Sequence, residues 1–463
     1  MISFNDIPNI YFLGIGGIGM SALARYANAV GKTVAGYDLT ETSLTRQLVS
    51  EGIAVHYNEN INQFSTIFLN ENTLVIRTPA VPESNVEFQY LKVNGYQMVK
   101  RSELLGFLTN DKVCIAVAGT HGKTSVSTMI THLLHESGAD VGAFLGGISR
   151  NFNSNLVLPN LADSPVVTEA DEYDRSFLQL HPTIAVVTAV DPDHLEIYGT
   201  YENVKEAFGQ FVGNTVPNGK VLFKKGVELR LNFSAQVETY TYSITDSADF
   251  CIQNLRIENG CFVFDFITPN GVVAEAKVSY PGRVNLENMV AAAATAILHG
   301  VDVELVKAAM NTYKGVVRRF DVRFRSDEVI YIDDYAHHPR ELETTIKSVK
   351  ELYPDKKVLG IFQPHLFSRT NDFSDGFAAS LDLLDEAILL PIYPARELPI
   401  PGVTSEVIFN KMKLRQKSLV QMEQVVVELE NKKYDVLLTM GAGNIDKLIE
   451  PITQMLNHQF ELK

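Results

Sequence analysis

The sequence predicts an α/β protein built from three successive domains. Three observations support that expectation. They are a length of 463 residues, short apolar runs that alternate with helix-patterned stretches, and two glycine-rich turns that each join a strand-like run to a helix-like one. At ~150 residues per domain, the length suits about three. Alternating strands and helices build parallel sheets with helices on their faces.

The first segment, 1–110, opens with the strand-like Asn9-Ile10-Tyr11-Phe12-Leu13. A glycine turn follows, then a helix-like stretch through Val30 and an apolar run, Thr33–Tyr37, that ends at Asp38. Further strands are expected at Thr73–Arg77 and near Gln97–Val99, which together make a Rossmann-like domain. The second segment, 111–316, starts on Val113–Ala118, a continuous apolar run suited to a buried parallel strand. The next helix places Val126, Met129, Ile130, Leu133 and Leu134 on one face. Pro165–Thr168 and Ile184–Val190 read as buried strands, and 220–280 as a β appendage of strands and turns. Asn285–His299 reads as an alanine-rich helix that Gly300 ends. This segment is expected to form a P-loop ATPase-like parallel sheet. The third, 317–463, carries strand-like runs at Val329–Ile332, Val358–Phe362, Ala387–Ile392 and Val436–Thr439, and is expected to be Rossmann-like again.

Composition excludes several classes. The chain is 46% hydrophobic and 21% charged, as in globular proteins. It has no apolar run of ~18 residues, so no membrane span is expected. Its first residues lack a basic stretch followed by an apolar one, so no secretory signal is expected. Cys114, Cys251 and Cys261 form no CxxC pair, which argues against a disulfide framework or a zinc knuckle and suits a reducing cytoplasm. A net charge of −15 disfavours a nucleic-acid partner. Local cations can still receive an anionic substrate.

In open α/β sheets, ligands bind beyond the carboxyl ends of strands. Polar clusters fall at five such ends: Gly119–Thr124, Glu169, Asp191–His194, Asp333–His338 and Gln363–Arg369. Gly119-Thr120-His121-Gly122-Lys123-Thr124-Ser125 reads as a phosphate-binding loop. Its glycines let backbone N–H groups approach phosphate oxygens, and the helix N-terminus adds partial positive charge. Lys123 is placed for the β and γ phosphates and Thr124 for Mg2+. The loop departs from the full GxxxxGK[ST] pattern, since Val117 stands where the first glycine belongs. Gly14-Ile15-Gly16-Gly17-Ile18-Gly19 resembles a dinucleotide fingerprint, with Asp38 about 20 residues on. It reads as a dinucleotide site, a nucleotide-diphosphate site or a tight turn. The residues therefore leave open an NAD(P)-dependent oxidoreductase, an ATP-driven ligase and a non-enzymatic ATP switch. Glu169, Asp171, Glu172 and Asp174 form an acidic run that points to a Mg2+ site, with His194 as a second candidate ligand. His337, His338 and His365 lack the Cys or HExxH context of a zinc site. Arg318, Arg319 and Arg369 are candidate cations for phosphoryl transfer.

Taken in order, the glycine turn with Met20, the phosphate loop, Glu169–Glu172 and Asp193-His194 resemble the Mur ligase family. The resemblance continues through Pro281–Asn288, Arg318–Asp321, Asp333–Pro339 and Gln363–Thr370, and so covers nearly the whole chain. It implies that 1–110 binds a UDP-sugar, 111–316 binds ATP, and 317–463 receives the amino acid and closes over ATP. It also implies that Gly14, Ile15, Gly16, Gly17, Ile18, Gly19 and Asp38 hold a uridine diphosphate and not NAD. By the same resemblance, Asn285, Asn288, Arg319 and Asp334 join Gly119–Ser125 as ATP contacts. Thr124, Glu169 and His194 match the metal positions, and His337, His365 and Arg369 match the amino-acid and muramoyl-carboxylate region. Lys123, Glu169, His194, Arg319, His337, His365 and Arg369 then form the catalytic set, with ATP and Mg2+ as cofactors. The implied reaction joins L-alanine to UDP-N-acetylmuramate through an acyl phosphate, in peptidoglycan precursor synthesis. Asp171-Glu172-Tyr173 also resembles the branch that attaches a tripeptide to the same acceptor. The continuation Asp174-Arg175-Ser176-Phe177-Leu178 is closer to the L-alanine branch. Arg77-Thr78 departs from the serines usual there.

Overall fold

Each of the three segments carries its own sheet in the computed structural model, which describes residues 4–61, 68, 72–233, 236–258, 261–395 and 397–460. The first sheet has five parallel strands. Edge to edge they are Ala54–His56, Thr33–Tyr37, Asn9–Leu13, Thr73–Arg77 and Gln97–Lys100. The order turns back at Asn9–Leu13, so its carboxyl end is a topological switch point, and the glycine turn begins there.

The second sheet centres on Cys114–Ala118, which pairs in parallel with Ile184–Val187 on one side and Val166–Ala170 on the other. All five of its residues are buried, as a strand covered on both faces requires. The following helix, Lys123–Glu136, does bury Val126, Met129, Ile130, Leu133 and Leu134. It also buries Ser127, Thr128, Thr131 and His132, so its apolar stripe understates its contacts. The expected β appendage is continuous with this sheet. Lys220–Lys224, Glu238–Ser243 and Phe250–Glu258 add in parallel beside Ile184–Val187, and Cys261–Thr268 and Gly271–Val278 complete that edge.

The third sheet runs Asp321–Arg325, Ile330–Asp334, Val436–Met440, Val358–Phe362, Glu386–Leu389, Lys417–Leu419. Its first pair is antiparallel and the rest are parallel. Successive residues of Val358–Phe362 face opposite sides. Val358 and Phe362 join one core with Leu342 and Phe377, while Leu359 and Ile361 join another with Leu437 and Ile452.

Two strands run past the ends read from the sequence. Val166–Ala170 includes Glu169, and Ile330–Asp334 includes Asp333 and Asp334. Both extensions have ladder partners, Glu169 opposite Val117 and Asp333 opposite Thr439, so the pairing continues under polar side chains. Ile184–Val187 stops short of Val190, and Glu386–Leu389 begins one residue before Ala387.

The chain forms two compact units. One holds the chain through Arg256 with Val263–Lys277 and Glu287–Lys314. The other holds Val278–Leu286, the chain from Gly315 onward and the described part of Ile257–Phe262. The first sheet and most of the second thus share a unit, and side-chain contacts join them. Asn155 Nδ2 donates to Ile18 O at 2.7 Å and to Ser21 Oγ at 2.9 Å, and the Tyr26 and Phe144 rings lie 5.5 Å apart. Among the described residues, no helix is long and apolar enough to cross a membrane.

Candidate functional site

The phosphate loop leaves the carboxyl end of Cys114–Ala118 and enters the Lys123–Glu136 helix, which sets the N-terminal turn of that helix beyond the strand end. The neighbouring strand end pins it. Thr120 N donates to Ala189 O at 3.0 Å, and the Thr188 hydroxyl donates to Ala118 O at 3.2 Å and meets His121 O. Gly119 has φ +147°, and a Cβ there would lie 2.0 Å from Thr188 Oγ1. That approach admits only glycine. Asn288 also reaches this loop, its Oδ1 lying 3.0 Å from where a Gly122 Cβ would stand.

The Lys123 ammonium donates to Gly119 O at 2.7 Å and to the two Glu172 oxygens at 2.8 and 2.7 Å. Burial by itself would depress its pKa. The carboxylates of Glu172, Asp171 and Glu169 outweigh burial and hold the lysine charged, above its ordinary range.

The acidic run does not gather round one ion. Each carboxylate has its own partner: Glu169 accepts from Gly146 N at 2.9 Å, Asp171 pairs with Arg101 at 2.9 Å, Glu172 holds Lys123, and Asp174 pairs with Lys100 at 2.6 Å. Two consecutive left-handed residues, Asp174 and Arg175 (φ 52° and 54°), turn the chain at the end of the run. Among the described residues, no group of three or more His, Cys, Asp and Glu side chains is arranged to hold a metal. A smaller oxygen set remains. The Ser127 hydroxyl lies 3.2 Å from Thr124 O and 3.5 Å from Glu169 Oε1, which brings the first helical turn beside that carboxylate. A Cβ at Gly146 would fall 2.3 Å from both Glu169 oxygens, so glycine leaves the carboxylate its room. A hydroxyl with a carboxylate suits Mg2+, which takes few protein oxygens and fills its shell with water and phosphate. His194 stands at the same carboxylate that holds Lys123. Its Nε2 is 3.9 Å from Glu172 and 3.8 Å from Asp193, and its ring meets Tyr173 edge-on at 5.3 Å.

The first glycine turn is built from the same parts. Gly14 N and Ile15 N donate to Tyr37 O at 2.8 and 3.0 Å, and Gly17 caps the Ile18–Ala29 helix. Asp38 Oδ2 accepts from Gly16 N at 2.8 Å, so this carboxylate braces the turn itself. Arg101 overhangs the turn. Its Nη1 would be 3.0 Å from a Cβ on Gly19, while Nη2 holds Asp171. Arg101, Glu169, Asp171 and Ser176 line one small cleft. The sequence reading missed Arg101, Thr188 and the specific part of Glu172, because none carries a spacing signal and each acts through contacts distant in the chain.

The second unit carries its own cluster. The Arg318 and Arg319 guanidinium groups lie 5.3 and 5.1 Å from the centre of the Tyr335 ring. Tyr335 meets His337 at 5.3 Å, His337 meets His365 at 6.0 Å, and Arg369 Nη1 donates to His365 Nδ1 at 3.5 Å. Arg319, His337, His365 and Arg369 are therefore contiguous. Arg318 is occupied differently from the expectation. It donates to Asp333 at 3.1 Å and to Gly441 O at 2.6 Å, which makes it a strut of the sheet end. Asp334 accepts from Phe320 N and Ala336 N at 2.7 and 2.8 Å, and burial pushes its pKa up to about 6 against the pull of Arg319. Burial depresses both imidazoles, His365 to about 4 with help from His337 and Arg369. Asn285 donates to Pro281 O at 2.7 Å.

Comparison with known proteins agrees along the whole chain. The family model described as Mur ligase family, catalytic domain, matches residues 9–113. Mur ligase middle domain matches 117–296, and Mur ligase, glutamate ligase domain, matches 318–443. The chain is 49% identical over 459 residues to UDP-N-acetylmuramate–L-alanine ligase of Parabacteroides distasonis, covering 99% of each. It is 45% identical to the enzyme of the same name from Flavobacterium johnsoniae, over 98% of this chain and 99% of that one. Among solved structures, UDP-N-acetylmuramate-alanine ligase from Thermotoga maritima superposes with a TM-score of 0.82 at 26% identity, covering 97% and 99%. A murein peptide ligase from Psychrobacter arcticus shares the fold, with a TM-score of 0.70 at 23% identity, covering 97% and 98%.

Proposed function

The chain belongs to the Mur ligase family, and from that premise we propose that it is an ATP-dependent ligase joining L-alanine to UDP-N-acetylmuramate in peptidoglycan precursor synthesis, in the cytoplasm. The observation that carries the reading is the charged Lys123 set at the N-terminus of the Lys123–Glu136 helix, in a loop that admits only glycine at 119. Relatives that span the whole chain and are named for L-alanine favour that amino acid over a tripeptide. The phosphate loop, and the glycine turn braced by Asp38, disfavour a nicotinamide enzyme.

The chemistry sets the order of events. A carboxylate and an amine do not condense in neutral water, so the carboxylate must first be activated. The muramoyl carboxylate attacks the γ-phosphorus of ATP, the bond to ADP breaks, and an acyl phosphate forms. The alanine amine then attacks the acyl carbon, the C–O bond to phosphate breaks, and the amine gives up its proton. The first step brings two anions together. Lys123 and the N–H groups of residues 119–125 offset that repulsion and the charge that builds in the transition state. Thr124 and Glu169 would hold Mg2+, with His194 as a third contact, and the ion would supply further positive charge at the phosphates. The turn at Gly14–Gly19 receives the uridine diphosphate through N–H groups and a helix N-terminus, with Asp38 keeping it in shape. Asn285 and Asn288 serve the adenine end of ATP. Arg319 and Asp334 serve the nucleotide, and neutral His337 and His365 with Arg369 receive the amino acid and the acceptor carboxylate. Segments 1–110, 111–316 and 317–463 divide these tasks in chain order.

The test is phosphate release from ATP, assayed with UDP-N-acetylmuramate plus L-alanine, glycine, L-serine or the tripeptide. Release that needs both the sugar nucleotide and L-alanine is expected. Release favoured by the tripeptide would transfer the assignment to the recycling branch, and hydride transfer to NAD(P) would end it.

A further inference from the structure

We propose that Glu172 is a stand-in for phosphate, holding the Lys123 ammonium in place until a nucleotide takes it over. The proposal rests on the reading of residues 119–125 as the ATP site. An ammonium has three N–H donors. Here they meet three acceptors, Gly119 O and both Glu172 oxygens, all within 2.8 Å. A phosphate can reach Lys123 only if one of these acceptors lets go, and Glu172 supplies two of the three.

The carboxylate is built into position. The Glu172 side chain is only 3% exposed, and Tyr198 OH donates to its backbone carbonyl at 2.6 Å. The left-handed Asp174 and Arg175 then turn the chain away. Lys100 anchors Asp174 at 2.6 Å, and the Arg175 guanidinium lies over the Tyr198 ring at 5.4 Å. The other side of the carboxylate stands 3.9 Å from His194 Nε2. Glu172 thus lies between two groups assigned to the phosphate end of ATP. While the site lacks nucleotide, it keeps a half-buried lysine charged and aimed at the loop. When phosphate arrives, the two anions compete for one cation, and nucleotide affinity reflects the difference. Glu172 is in this sense a positioning residue.

The experiment measures equilibrium binding of ADP in EDTA, so that no divalent ion contributes. Glu172→Gln should bind ADP roughly tenfold tighter. Glu172→Asp keeps the charge but withdraws it by one methylene, and should also bind tighter. Asp171→Asn, which removes a nearby charge without touching Lys123, should gain much less. In a Lys123→Ala background, Glu172→Gln should gain nothing. A gain that persists without Lys123, or one matched by Asp171→Asn, would mean simple charge repulsion and overturn the proposal. So would unchanged or weaker binding in both Glu172 variants that melt cooperatively. Failure of the unaltered chain to bind ADP would instead remove the ATP-site reading, and this proposal with it.

Discussion

The turns at Gly14–Gly19 and Gly119–Thr124 leave the carboxyl ends of buried parallel strands and start helices in the same compact unit, yet carboxylates meet them differently. At the first turn, Asp38 sits on the peptide N–H of Gly16. At the second, Glu172 sits on a lysine side chain. In the proposed reading the first would offer a diphosphate peptide dipoles, worth about 0.3–1 kcal/mol near a helix end. The second adds a full positive charge, of the kind whose loss costs a catalyst about 2.7–4 kcal/mol in the transition state. A diphosphate that is only held needs the first kind of site. A phosphoryl group that is transferred to another anion needs the second.

Lys123→Ala is the strongest way to break this contrast. The rate of ADP and phosphate formation should fall roughly 10²–10³-fold. The melting temperature should also fall, because Glu172 is left buried without its partner. Near-normal ligation in a coupled phosphate assay would show that the two turns are equivalent after all. Glycine replacements sharpen the comparison next. Gly119→Ala should abolish detectable nucleotide binding and cost several kcal/mol of stability, about the scale of a strained backbone plus a clash, since its Cβ meets Thr188 Oγ1 at 2.0 Å. Gly17→Ala in the first turn meets nothing closer than 3.6 Å and should shift stability by no more than about 0.5–1 kcal/mol. Equal damage at both positions, read from thermal melts, would contradict the geometry.

Asp38→Asn should act on one turn alone. The KM for UDP-N-acetylmuramate should rise a fewfold, in line with about 0.5–1.5 kcal/mol for one hydrogen bond, with the KM for ATP unmoved. A parallel rise for both substrates would mean that Asp38 supports the whole unit. The smallest effect concerns the second unit, which carries its charge on arginines and not on imidazoles. His365 titrates at about 4 in the folded chain, below its ordinary 6.5. The unfolded chain therefore binds the extra proton between those values. The stability that His365 contributes is complete above pH 6.5 and is lost as pH falls towards 4. His365→Gln should flatten that part of the stability profile, and an NMR midpoint near 6.5 would show the ring is not desolvated.

Much of this was legible in the sequence because it is local. A strand, a glycine turn and the first helical residues occupy about ten neighbouring positions, so Gly14–Gly19 and Gly119–Thr124 announce themselves by spacing and by the apolar run before them. The alternation of such units determined three α/β sheets, and Val113–Ala118 and Val358–Phe362 were readable as covered strands from their unbroken apolar character. Tertiary structure decided which side chains meet those turns. Lys123 meets Glu172 across 49 positions of chain, Arg101 meets Asp171 across 70, and four neighbouring carboxylates go to four different partners. The acidic run looked like one ion site because sequence shows charge density but not direction. Glu169 and Asp333 looked like residues beyond strand ends because hydrogen bonding to the next strand, which extends a ladder under polar side chains, has no local signature.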